Sequence, residues 1–386
     1  MSEAAGRRPL VVGLDARPAL FGRTGFGRVV RESIAALRRR DDVELKLYGA
    51  ALRRPRADCR LEGARTPPLP ARLQRLLAGA GFGVETLLGP LDVFHHTDLV
   101  FAPVRRAPEV LTLYDLVFLQ DASWHEPGFA ERLLPRVVRR VQAARALLMS
   151  SSRVVDLAVE HLAVDPDRCV VAPFGADHVD PEPQPDDERH LRFVLQSCAL
   201  SPELHGPLVL VPGTREPRKN QLAVIEAFLA ARQGTGAQLV LAGPKGWGCA
   251  ALERRLLELR GRGEGVGAAG EVTEEQMTAL LRRADVVAYP SLAEGFGLPV
   301  VEAMRCGKAV LTSRDTPMAD VGGEAVRLVD PRDREQLRDA LRVLLTLPHL
   351  REELGAAARE QVAPLTWDAH AEALRELYER GAHDRP

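Results

Sequence analysis

Short apolar runs punctuate the first half of the chain at 10–14, 43–48, 93–95, 110–114, 146–150 and 169–172. Most are almost continuously hydrophobic, the pattern of strands covered on both faces in a parallel sheet, whereas 43–48 alternates and predicts an edge strand. Between them, 28–40 and 132–144 return apolar residues at helical spacing, the second alternating Leu and Val with Arg. Strand and helix alternation of this kind predicts a doubly wound half.

Around Pro181, Pro183 and Pro185 the pattern breaks into prolines and acids, a hinge signal, and then restarts with strands predicted at 208–211, 238–242, 286–289, 309–312 and 326–329. The expected fold class is α/β: two Rossmann-like, doubly wound parallel-sheet domains of the GT-B arrangement, with ligands expected at the carboxyl ends of the strands in an interdomain cleft. The expected boundaries are 1–180, a linker at 181–207, and 208–365. A last helix at 366–382 opens on Thr366 as N-cap and places Trp367, Leu374, Leu377 and Tyr378 on one stripe.

Composition narrows the possible partners. The 386 residues carry 52 Lys and Arg against 53 Asp and Glu, a net charge of -1, which argues against nucleic acid and leaves any anion site to be local. Five widely spaced cysteines, with no C-x-x-C pair, suit a reducing compartment. Asp15 and Arg17 interrupt the first apolar run before a signal-peptide core forms, and no run reaches the roughly 18 apolar residues of a spanning helix. A soluble cytoplasmic protein is expected.

Three stretches carry chemistry. Residues 285–310 read D-V-V-A-Y-P-S-L-A-E-G-F-G-L-P-V-V-E-A-M-R-C-G-K-A-V: a strand, a glycine-rich loop, a short helix and another strand. Gly295 and Gly297 would let a phosphate approach the first amides of that helix, including those of Phe296 and Leu298, at the positive end of its dipole. Glu294 and Glu302 flank this cradle. Acids beside a phosphate site normally accept hydrogen bonds from sugar hydroxyls, so Glu302 suits a ribose and Glu294 the sugar being moved. In the second stretch, V-P-G-T-R-E-P-R-K-N at 211–220, Gly213 and Thr214 follow a strand and Arg218 and Lys219 stand side by side at a predicted helix start. There they oppose the dipole and call for an anion, which a diphosphate would supply. The third, F-G-R-T-G-F-G-R at 21–28, places glycines at 22, 25 and 27 in an order unlike the dinucleotide fingerprint. Gly25 and Gly27 are expected in a flexible loop lining the binding site.

With these motifs the chain resembles glycosyltransferase family 4, the retaining GT-B enzymes, and its mannosyltransferase-like members above all. The resemblance rests on Glu294 to Glu302 with its flanks, on Gly213 to Asn220 and on Thr24 to Arg28. Weaker echoes are D-V-F-H at 92–95, S-S-R-V-V-D-L at 151–157 and V-x-P-x-G at 171–175. It implies that Arg218 and Lys219 bind the diphosphate of a nucleotide sugar, with Gly297 and Leu298 adding amides. It further implies that Glu302 binds the ribose, that Glu294 meets the transferred sugar and that the last helix crosses back onto the first domain. No cofactor or metal is implied beyond the donor, and no D-x-D triad or His/Asp cluster appears. One position departs: the family's T-x-H-D-L is here Thr112-Leu-Tyr-Asp-Leu116, so a phenol, Tyr114, stands in place of an imidazole, with Asp115 and His95 the neighbouring candidates for its role.

The implied activity is transfer of a hexose, mannose among the candidates, from a GDP-, UDP- or dTDP-linked donor to a hydroxyl of a glycan, lipid-linked or small-molecule acceptor. A glycosidase fits less well, because a retaining pair of acids should stand about 5 Å apart across the scissile bond. A sugar-nucleotide epimerase and a non-catalytic sugar-nucleotide-binding subunit are the alternatives. Arg38 to Arg40 with Arg53, Arg54 and Arg56, near Leu73, Leu76, Leu77 and Phe82, form a basic and apolar stretch compatible with weak peripheral contact with the inner membrane face.

Overall fold

The computed structural model describes residues 8–22, 25–52, 55 and 59–383. These form two compact units. The first comprises the described residues up to Leu116 together with Glu131–Gly175 and those from Thr366 onward; the second comprises Val117–Ala130 and Ala176–Leu365.

The first unit holds a six-stranded parallel sheet of β1 Leu10–Asp15, β2 Val43–Tyr48, β3 Val93–His96, β4 Glu109–Leu113, β5 Ala146–Met149 and β6 Cys169–Val171, in the order β2-β1-β3-β4-β5-β6. The alternating run lies at the edge, as its pattern requires. Strands β3 and β5 are buried along their whole length, which is why they read as unbroken apolar runs. The helix Trp367–His383 belongs to this unit. Thr366 Oγ1 accepts the Ala369 amide at 3.1 Å, and Trp367, Leu374, Leu377 and Tyr378 are at most 2% exposed. A stripe of this size contributes roughly 1.5–3 kcal/mol per side chain by burial.

The second unit repeats the architecture with β7 Leu208–Pro212, β8 Gln238–Ala242, β9 Val266–Gly270, β10 Val286–Tyr289, β11 Ala309–Ser313 and β12 Arg327–Val329, ordered β12-β11-β10-β7-β8-β9. That is the Rossmann order, whereas the first unit has the 2-1-3-4-5 order of the other doubly wound family, extended by one strand. In its core, Val224, Ile225 and Phe228 meet Leu239 and Leu241 of β8 and Leu337, Leu341 and Leu344 of the helix Arg334–Thr346.

Two features differ from the sequence expectation. Residues 181–207 are not a plain linker: they contain the helix Asp187–Ser197, packed on the helix Glu274–Arg283 and tied to it by Arg282, which reaches Asp187 at 2.8 Å and the Asp180 carbonyl at 2.9 Å. The acids that suggested a linker are its first turn, where they suit the helix dipole. Strand β9, sequence V-G-A-A-G, had no apolar run to announce it. Among the described residues no helix is long and apolar enough to cross a membrane.

Candidate functional site

In an open α/β sheet the crevice forms where neighbouring strands send their connections in opposite directions. In the second unit that point lies between β7 and β10, and the motif residues gather there. After β7 the chain turns at Gly213, whose φ of 107° demands glycine, and Gln221 Nε2 donates to the carbonyls of Gly213 and Thr214 at 3.3 Å each. A 3-10 turn, Pro217–Lys219, then carries both cations. Asn220, left-handed at φ 57°, separates them from the helix Gln221–Ala231, so they do not stand at its start as the sequence suggested.

The anion they call for is already present within the chain. Glu294 receives Arg218 Nη1 on Oε2 at 2.9 Å and Lys219 Nζ on Oε1 at 2.5 Å. Arg218 also reaches Glu216 at 2.7 Å and the Ala293 carbonyl at 2.8 Å, while Lys219 donates to the Tyr289 hydroxyl at the end of β10. Burial alone would raise the Glu294 carboxyl, but Arg218 and Lys219 outweigh it and hold it down at about 2. Burial pulls the Lys219 ammonium below its ordinary value against the opposing pull of Glu294, and drives the Tyr289 phenol far up. Two cations and two carboxylates leave this cluster without net charge.

The same turn leads into the short helix Leu298–Arg305. Gly297 caps it at φ 97°, and a Cβ there would lie 2.3 Å from Met318 Cγ, so both backbone and space require glycine. Phe296 and Leu298 are buried at 4% and 8% exposure, so only their backbones can serve a ligand; Gly295 joins them to Glu294. Glu302 is buried within the helix and paired with His178 Nε2 at 3.0 Å. Nothing in the sequence announced His178 as its partner.

In the first unit the corresponding switch point lies between β1 and β3, and it too is hollow. A cavity of about 250 Å3 is lined by Phe26, Thr97, Asp98, Thr112, Tyr114 and Asp115, among others. Asp15, at the end of β1, is fully buried and forked by Arg17 at 2.8 and 2.5 Å. Burial and the nearby Asp15 raise the Asp98 carboxyl. Phe26, 47% exposed, stacks on Tyr114 with centroids 5.0 Å apart. Burial pushes the Tyr114 phenol far above its ordinary value, with Asp98 and Asp15 adding to it. A neutral hydroxyl on a ring platform results, with no capacity to take up a proton.

Three expectations are corrected here. His95 does not face a ligand: it is 2% exposed, with Nδ1 3.0 Å from the Tyr378 hydroxyl and Nε2 2.6 Å from Thr112 Oγ1, and burial lowers it to about 3. Gly25 and Gly27 lie not in a flexible loop but in the first turn of the helix Gly25–Leu37. A Cβ at Gly27 would meet the Gly22 and Pro18 carbonyl oxygens at 2.6 and 2.8 Å, so this glycine serves close backbone packing. Arg38, Arg39 and Arg40 are not a free basic face, since Arg39 pairs with Asp368, Arg40 with Asp42 and Glu372, and Arg38 with the Glu62 carbonyl. Thr24, Arg53, Arg54 and Arg56 lie outside the described residues.

Residues 200–361, which hold the whole charged cluster, match the family model described as glycosyl transferases group 1. Over those residues the chain is similar to the family 4 type of glycosyltransferase. Among curated relatives, the O-antigen chain mannosyltransferase B of Escherichia coli is 27% identical over 72% of the chain and 71% of its own length. The MMP alpha-(1->4)-mannosyltransferase of Mycolicibacterium hassiacum is 28% identical over 67% of the chain and 60% of its own. The D-inositol 3-phosphate glycosyltransferase of Corynebacterium jeikeium is 41% identical over 27% of the chain and 26% of its own length. Among solved structures, sucrose-phosphate synthase from Thermosynechococcus elongatus has a TM-score of 0.74 at 20% identity, covering 96% of this chain and 98% of its own. Anabaena HepE, solved with UDP and glucose, has 0.71 at 17% over 95% and 98%. These two establish the GT-B fold. Among the described residues no group of three His, Cys, Asp or Glu is placed to hold a metal ion.

Proposed function

We propose that this glycosyltransferase moves a hexose, mannose in the first instance, from a nucleoside-diphosphate sugar to a hydroxyl acceptor with retention of anomeric configuration. The observation that carries the proposal is the pair Arg218 and Lys219, joined through Glu294 to the glycine-rich turn of the helix Leu298–Arg305. Cations and helix-end amides that meet a diphosphate stabilise it most as the sugar bond breaks and charge builds on the leaving oxygen, which is where such contacts accelerate a reaction. Glu302, braced by His178, is suited to ribose hydroxyls, and Glu294 to those of the hexose. The cavity beside Phe26, Tyr114, Asp98 and Asp115 suits the acceptor: its size, below the roughly 300–1,000 Å3 of drug-sized sites, fits about one sugar ring.

In this scheme no side chain acts as nucleophile, and the departing phosphate assists the acceptor hydroxyl on the same face of the ring. Two of the three named relatives favour mannose, and HepE with UDP keeps a uridine donor in play beside a guanosine one. A thermal-shift screen of GDP-mannose, UDP-glucose and dTDP-glucose identifies the donor, and proton NMR of the first product reads its anomer. An inverted product removes the retaining scheme. Replacing both cations, Arg218→Ala with Lys219→Ala, is expected to lower turnover by about 10²–10³-fold and abolish donor binding. Unchanged donor affinity in a folded double variant removes the proposal.

A further inference from the structure

The diphosphate reading leaves one residue without a task. Glu216 stands two residues before Arg218 and holds its Nη2 at 2.7 Å. Its carboxylate cancels the charge a donor would need, so a phosphate approaching the cluster meets two cations already matched by two acids. One acid must yield if the phosphate is to touch Arg218 directly, and the two are unequally held. Glu294 is gripped by both cations and its side chain is 9% exposed; Glu216 has one cation and is 22% exposed.

Glu216 also has somewhere to go. It lines a groove of about 500 Å3 whose walls include Arg254, Arg255 and Arg334. A carboxylate released from Arg218 would meet cations there, so the exchange keeps it in a favourable field. Arg255 is shared with Glu226 and Glu258, which moderates that field.

We propose that Glu216 is the exchangeable counter-anion of the donor site: it occupies Arg218 in the empty protein, gives way to the donor's phosphate, and thereby sets the affinity for it. The inference rests on the donor-binding reading above. A monophosphate regains no more than a diphosphate from the freed Arg218, so removing Glu216 favours it by no larger a factor.

Calorimetry of the full chain with UDP, GDP and the matching monophosphates tests the exchange. In Glu216→Gln the diphosphate that the wild type binds should bind about tenfold more tightly, the monophosphate should gain no more than that, and the ligand-free melting temperature should fall because Arg218 loses a partner. Glu216→Asp, which keeps the charge, should stay near wild type and guards against a misfolded amide variant. The gain should vanish in the Arg218→Ala background. Equal or weaker binding in Glu216→Gln, or a gain that persists without Arg218, overturns the exchange while donor binding by the wild type stands. A wild type that binds neither diphosphate removes the donor site itself, and this proposal with it.

Discussion

The two switch-point sites solve opposite problems on similar sheets. In the second unit, ionised groups crowd a closed cluster: Lys219 and Glu294 are nearly buried, and each charge is matched by a neighbour within 3 Å. In the first unit the cavity walls are an aromatic pair, hydroxyls and acids, and beside the buried Asp15–Arg17 pair the cavity's Tyr114 and Asp98 are pushed upward, toward neutrality. A site that must hold and release an anion keeps its charges and compensates them. A site that must accept a polyol presents hydroxyls and a ring face instead. Under the proposed function, the division of labour is written in which groups stay charged.

The largest test of that contrast is Glu294→Ala. Removing one partner of a buried pair leaves the other uncompensated, a loss of about 3–5 kcal/mol, so the variant should unfold at markedly lower urea concentration, with activity lost as well. Phe26→Ala, at the exposed face of the other site, should leave stability nearly unchanged and act on the acceptor KM alone. If both variants unfold alike, the two sites do not differ in the way argued.

The parts of each site were legible in the sequence to different degrees. The strands were visible because residues buried on both sheet faces must be apolar in succession, and β9 escaped because its glycines and alanines carry too little hydrophobic surface to signal. The motif from Glu294 to Glu302 announced its glycine-rich turn and short helix through Gly295 and Gly297, on which the proposed phosphate role rests. What could not be read was pairing: Glu294 meets Lys219 across 75 positions and Glu302 meets His178 across 124. The demand of Arg218 and Lys219 for an anion was readable, and its answer by Glu216 and Glu294 within the chain was not. His95 looked available as a neighbour that could take the role left by Tyr114, yet the helix Trp367–His383 brings Tyr378 over it.

Acid should separate the two units, by a middling amount. His95 and His370 are buried and lowered, to about 3 and about 4, from an ordinary value near 6.5. The unfolded chain therefore binds protons that the folded first unit refuses. That stability is complete above pH 6.5 and drains as the pH falls toward 4, by about 2 kcal/mol per histidine at pH 5. Glu294 has the depressed-carboxylate sign: its contribution is complete above about 4.5 and drains only between there and about 2. Hydrogen exchange at pH 5 should thus show β3 and β4 losing protection while β7 and β10 keep theirs. Simultaneous loss, or the reverse order, contradicts the assignment of neutral histidines to the first unit.

The smallest effect should come from Tyr114→Phe, and its size is the sharper measure. The ring keeps its stack on Phe26, and Thr112 keeps His95 as a partner, so only the neutral hydrogen bond between the Tyr114 hydroxyl and Thr112 is lost, worth about 0.5–1.5 kcal/mol. The expected result is a fall of less than about tenfold in kcat/KM, with an unaltered pH profile between 6 and 9, because a buried phenol raised this far does not titrate there. A hundredfold loss, or a pH limb that moves with the substitution, would mean that Tyr114 handles a proton during transfer. The first-unit cavity would then be charged chemistry after all, and its contrast with the cluster around Arg218 would collapse.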